Sequence, residues 1–138
     1  MRFFKVCAVS LGAAVFIAAI ALLSSGQCFE NGREYSLFAG DTSKNCKEIL
    51  SSNPTLDKLL IKDVCGECAV FDSLDVDGLL EQVSGKIVFE ERLSDSVNYY
   101  CKADLPYSVQ LYGEEINLHI CVRKDSVKVA SPIIFGGY

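Results

Sequence analysis

The stretch "DVCGEC", Asp63 to Cys68, sets two cysteines three apart behind the apolar "LLI" of Leu59 to Ile61, and the fold turns on how it is read. A Cys-x-x-Cys pair works as a redox centre when it opens a helix, and as half of a metal site when further ligands converge on it. In a disulfide scaffold the same pair is two separate bridge ends. The compartment bears on the choice, and the N-terminus speaks to the compartment. Arg2 and Lys5 precede an apolar run from Val6 to Leu23 interrupted only by Ser10 and Gly12. Such a run is long for a signal-peptide core and just long enough to span a bilayer. The small residues of "SSGQ" then suit a signal-peptidase site before Gln27. Residues 1–26 are therefore expected to be a signal peptide, or a membrane anchor through residues 6–23 if uncleaved, with residues 27–138 as a single secreted domain.

Cysteine parity agrees with export. Of seven cysteines, Cys7 lies in the apolar leader, which leaves Cys28, Cys46, Cys65, Cys68, Cys101 and Cys121. An even set in a small secreted domain reads as a disulfide framework. Cys28–Cys46 and Cys101–Cys121 are the expected bridges, because they join elements close in sequence. The charge balance points to an acidic surface: the chain carries 13 Lys and Arg against 18 Asp and Glu, a net of −5. No basic cluster suits a phosphate backbone, so nucleic acid is not an expected partner. The sequence "NPT" at Asn53 is blocked for glycosylation by its proline.

Local patterns then give an order of elements. "REYSLFA", Arg33 to Ala39, reads as a strand, and "GDTS", Gly40 to Ser43, as the cap of a helix carrying Cys46, Ile49 and Leu50 on one face. Pro54 is expected to end that helix. Lys58 to Val64 reads as a short buried strand, followed by a helix from the cysteine pair through Leu74, Leu79, Leu80 and Val83, with Gly78 bending it. "KIVFEERL" from Lys86 is strand-like; "SDSVNYYCKAD" offers a cap at Ser94 or Asp95 and a helical face of Val97, Tyr100 and Cys101. From Pro106 the period becomes two, and a hairpin of Tyr107–Tyr112 and Glu115–Arg123 turns at "YGEE". Leu60, Ile61, Val88, Val109, Leu111, Leu118 and Ile120 are the expected core. The tail "SVKVASPIIFGGY" reads as strand and turn.

With Cys-x-x-Cys opening a helix, Gly85-Lys86 before the next strand, Leu105-Pro106 ahead of the hairpin and Gly113-Glu114 within it, the chain from about Tyr35 to Arg123 resembles the thioredoxin-like family. The resemblance implies an α+β fold, a mixed sheet with flanking helices, stapled by disulfides. It also implies a thiol-disulfide oxidoreductase or isomerase with Cys65 as nucleophile, Cys68 as resolving thiol, and Pro106 as a cis-proline beside them. Its partners would be protein thiols or disulfides, and no cofactor is needed. Val64 and Leu59 to Ile61 stand where active members carry an aromatic residue and a buried acid. The tail lacks the family's closing helix.

The alternative is a non-enzymatic secreted interaction protein in which all six mature cysteines are structural and the acidic surface meets an extracellular protein. Membrane contact is expected only if the leader stays uncleaved. Metal binding is the weaker reading: Cys65, Cys68, His119 and Cys121 offer a Cys3His set, but the "HIC" spacing is poor for zinc. "SLDVDG" imitates a calcium loop through Asp75, Asp77 and Gly78. Ser73 and Ser84 then occupy the positions that require an acid and a bidentate glutamate. His119, the only histidine, is expected on the solvated face of its strand.

Overall fold

The computed structural model describes residues 10–20, 26–42 and 44–135. Among the described residues, nine strands and three helices follow in order: α1 (residues 10–20), β1 (Glu34–Ala39), β2 (Lys47–Ser51), α2 (Pro54–Leu60), β3 (Val64–Phe71), α3 (Val76–Gln82), β4 (Lys86–Arg92), β5 (Ser96–Lys102), β6 (Val109–Leu111), β7 (Glu114–Ile116), β8 (Leu118–Arg123) and β9 (Val127–Ser131). Seven of the strands form one antiparallel sheet, ordered β2-β1-β3-β9-β8-β5-β4, and β6 and β7 make a separate ribbon. Most of the expected leader, with Cys7, falls on residues 1–9 and 21–25, outside the described residues. Ser43 of the expected cap and the final residues 136–138 also lie outside them. No helix among the described residues is long and apolar enough to cross a membrane.

This architecture corrects the thioredoxin-like expectation and, with it, the α+β class of a mixed sheet flanked by helices. The pairing is antiparallel throughout, and the outer-layer helices α2 and α3 have seven residues each. Two expected helices are strands. Cys46, Ile49 and Leu50 belong to the lead-in and body of β2, which pairs with β1 through Leu37 opposite Ile49. Val97, Tyr100 and Cys101 lie in β5, where alternate residues Asn98 and Tyr100 face one side and Val97, Tyr99 and Cys101 the other. Spacings of three and four occur in any strand with apolar residues on both faces; β5 is covered on both, whereas β2 is an edge strand whose Leu50 stays 79% exposed. Conversely, Pro54 begins a helix instead of ending one. Its ring suits the first helical position, and Asn53 caps it by accepting a hydrogen bond from the backbone N–H of Leu56 at 3.2 Å.

"DVCGEC" is therefore neither helix nor helix start. Asp63 sits at φ +58°, and the chain then enters β3, an interior strand between β1 and β9. Gly66 is required by close approach and not by a tight turn. A Cβ there would stand 2.7 Å from the carbonyl oxygen of Ser131 and 3.2 Å from the ring of Phe38.

The register separates two faces. Tyr35, Ala69, Val129, Ile120 and Tyr99 line up across one of them. It packs with Phe71, Leu118, Val127 and Cys101 under Phe29 and α3, which contributes Leu79 and Leu80, with Val83 just beyond its end. Ser36, Cys68, Ala130, His119, Tyr100 and Phe89 line up across the other face. There Phe38, Cys68, Cys121 and Ala130 cluster under Ile134 and Phe135, which follow β9. Leu118 and Ile120 are in the core as expected, whereas Leu60 is 74% exposed on α2.

The helix α2 is held by charge. Lys58 pairs with Glu67 of β3, which is fully buried, and the lysine also donates to the carbonyl of Gly26 at 2.8 Å. The other Glu67 oxygen accepts the backbone N–H of Cys28 at 2.9 Å. A buried carboxylate is tolerated in a central strand because these partners answer its charge.

Candidate functional site

The structure places the sequence-derived site residues Cys65 and Cys68 on strand β3 and Pro106 in a loop. Cys65 and Cys68 lie on an extended strand, where three residues span about 10 Å, beyond the roughly 7 Å limit for two bridged Cα atoms. No helix N-terminus stands behind Cys65 to favour a thiolate. Cys68 is buried, and its burial pushes the thiol up to about 12, so it stays protonated at neutral pH. Pro106 is exposed in the connection between β5 and β6, and the cis peptide bond lies instead at Ser131–Pro132. Beside Pro106, the Tyr107 carbonyl accepts from Asn117 Nδ2 at 3.1 Å, and its ring stands 5.8 Å from Lys58 Nζ.

The other cysteines are also separated. Cys101 opposes Leu118 and belongs to the α3-covered core, while Cys121 opposes Asn98 on the reverse face, so the expected Cys101–Cys121 bridge would have to cross the sheet. Cys28 packs with the α3-side core and Cys46 with the reverse cluster, which likewise separates the expected Cys28–Cys46 pair. Burial pushes Cys28 and Cys101 up to about 12. Among the described residues, no three His, Cys, Asp or Glu side chains are grouped to hold a metal ion.

The arrangement with chemical promise lies elsewhere, on the face carrying His119. That histidine is 1% exposed, not solvated. Its Nδ1 accepts the backbone N–H of Ile134 at 3.2 Å, which assigns the proton to Nε2, and Nε2 donates to Asn98 Oδ1 at 3.0 Å. Burial, helped by the nearby Lys128 ammonium, lowers its pKa to about 4. His119 is thus a neutral ring, and it holds the segment after β9 against the sheet. Tyr100 stacks on it with centroids 4.3 Å apart.

Beside this stack a cleft of about 460 Å³ opens. The β4–β5 pair supplies Phe89, Glu90, Glu91 and Tyr100, and the β6–β7 hairpin supplies Leu111 at the end of β6 and Tyr112 in its turn. His119 lies at the floor, with Ile133 and Ile134 as the remaining wall. Phe89 and Tyr112 meet edge to face at 5.9 Å. Tyr100 donates its hydroxyl to Glu91 Oε2 at 3.4 Å. None of the nine lining residues is Lys or Arg, and two are glutamates.

Tyr112 is the unusual member. It is 89% exposed and holds φ +52°, next to Gly113 at φ +81°. Two positive φ values in a two-residue hairpin connection are the pattern of a type I′ turn, where Asn-Gly is the ordinary choice. A tyrosine there bears backbone strain and leaves a large ring in water. The sequence carried one signal of this, a Tyr-Gly pair between alternating runs, and it read as a hairpin turn without a site. Phe89 and Tyr100 carried none, because their meeting depends on the pairing of β4 with β5. Comparisons with protein-family models, curated proteins and solved structures find no match to this chain.

Proposed function

We propose that this chain is an exported, non-enzymatic binding domain that seats a cationic side chain of a basic partner protein in the cleft formed by Phe89, Glu90, Glu91, Tyr100 and Tyr112. The single observation that carries the reading is Tyr112: an aromatic ring kept exposed at a strained turn position, at the mouth of a cleft, is the mark of a contact residue. The chemistry selects the ligand. Aromatic faces attract a Lys or Arg head group, the apolar stem of such a side chain fits against Leu111 and Ile133, and Glu91 favours positive charge, Glu90 being paired with Arg92. The net charge of −5 adds long-range attraction for a basic surface. Export rests on the N-terminal apolar run.

The test is a titration of the isotopically labelled protein, followed by NMR, with blocked lysine-, arginine- and glutamate-containing peptides. The basic peptides are expected to shift Phe89, Tyr100 and Tyr112 resonances, with affinity falling as salt rises. Tyr112→Ala should weaken binding at least fivefold. Equal binding of the glutamate peptide, or shifts confined to other surfaces, would refute the reading.

A further inference from the structure

We infer that Cys46 and Cys65 form a disulfide that clamps the edge strand β2 to the start of β3. Their sulfurs stand 3.5 Å apart, in contact, although 19 residues separate them in sequence. Two features of the backbone bring them there. At the end of β1, Gly40 lets the following loop fold back upon it, since a Cβ at that position would lie 2.8 Å from the carbonyl oxygen of Asn45 and 2.9 Å from Cys46 Cα. In β3, Ala39 pairs with Val64 and Phe38 with Gly66, so Cys65 is the extra residue of a bulge. A bulge redirects its side chain out of the regular pleat. Both thiols then settle, half-buried, against the cluster of Phe38, Cys68, Cys121 and Ile134.

The alternatives for Cys65 fail on geometry. Cys68 is about 10 Å along an extended strand. Cys121 lies two strands away across β9, also about 10 Å or more. Cys28 and Cys101 pack against the α3-side cluster, and Cys65 against the reverse one. Among the described cysteines, Cys46 and Cys65 are the pair whose sulfurs meet.

The bond forms by exchange with a low-molecular-weight or protein disulfide of an oxidising compartment. The thiolate of one cysteine attacks that disulfide, forming a mixed disulfide and expelling one donor thiol. The second cysteine, losing its proton, attacks its bonded neighbour and expels the other. The two cysteines lose two protons and two electrons, and the donor disulfide is reduced to two thiols. The consequence for β2 is mechanical: an edge strand, paired only to β1, gains a covalent tie to β3, the strand beyond it.

Disulfide mapping of the full chain decides. The protein is purified without reductant, and a second portion is reduced and then treated with oxidised glutathione. Both are alkylated in denaturant, digested and read by mass spectrometry. The expected product is a Cys46–Cys65 peptide pair, lighter by two hydrogen atoms than the reduced peptides and unalkylated until reduction. In Cys46→Ser, Cys65 should become alkylatable or carry glutathione. A Cys65–Cys68 bond, any other partner for Cys65, or alkylation of both cysteines after glutathione treatment would overturn the inference. A failed cleft titration would leave it untouched, because the mapping reads only sulfur.

Discussion

Acidification should destabilise this protein through His119, and the magnitude follows from its surroundings. The ordinary histidine pKa is near 6.5, while in the folded chain burial and then Lys128 lower it to about 4. A proton on Nδ1 would face the Ile134 N–H that now donates to it, so two donors would oppose each other. The other charged and titratable groups around the ring are Lys128 of β9, with Glu48 of β2 bonded to it at 3.3 Å, and Tyr100 of β5 with Glu91 of β4. The unfolded chain takes up its proton near pH 6.5 and the folded chain only near 4. Protons are therefore bound preferentially by the unfolded state within that window, and stability falls as pH drops through it. The interval corresponds to on the order of 3 kcal/mol, fully present above about pH 6.5 and fully lost below about pH 4. Urea unfolding followed by circular dichroism at pH 7, 6, 5 and 4 measures the slope in wild type and in His119→Gln. The variant starts from lower stability, so only the difference in slope counts. Carboxylates common to both proteins cancel in that difference. Wild type should lose about 3 kcal/mol more than the variant between pH 7 and 4. Parallel slopes, or a His119 ring that titrates near 6.5 by NMR, would refute the reasoning.

Tyr112→Asn should raise stability by about 1 kcal/mol, by relieving the strained φ of +52°, while weakening binding of basic peptides; a loss of stability would count against the strain argument. Glu67→Ala should cost about 3–5 kcal/mol, because it leaves the Lys58 ammonium buried without its partner, and the double variant Glu67→Met, Lys58→Met should recover much of that in the same urea assay. Ile120→Ala, at a fully buried position of β8, should cost about 2–5 kcal/mol by thermal or urea unfolding. Reducing a Cys46–Cys65 bond should lower stability by about 3 kcal/mol through the entropy of a 19-residue loop, and an unchanged midpoint with and without reductant would argue against it.

Part of what the chain determines locally was legible, though α2, which Asn53 caps, read instead as the end of one helix and the start of a strand. β1, β4, β8 and β9 show alternation or β-branched runs that few other structures accommodate, and α3 shows helical spacing, with Asp75 accepting the Gly78 N–H as its cap. β2 and β5 were not legible, because apolar residues on both faces blur a period of two: β5 is buried on both faces only in the assembled sheet, and β2 keeps Leu50 exposed at the sheet edge. The cysteine spacing of "DVCGEC" is compatible with a helix start or a strand; the choice was made by β1 and β9, which pair with it on either side. Pairing also decided the site. His119 is buried and neutral because Asn98 and Ile134, 21 and 15 residues away, satisfy its ring. The cleft exists because β4, β5 and the β6–β7 turn converge, and Cys46 touches Cys65 because Gly40 and a bulge permit it. Composition and periodicity report what each residue prefers against solvent and its near neighbours; which distant groups meet is fixed only when strand order and register are chosen.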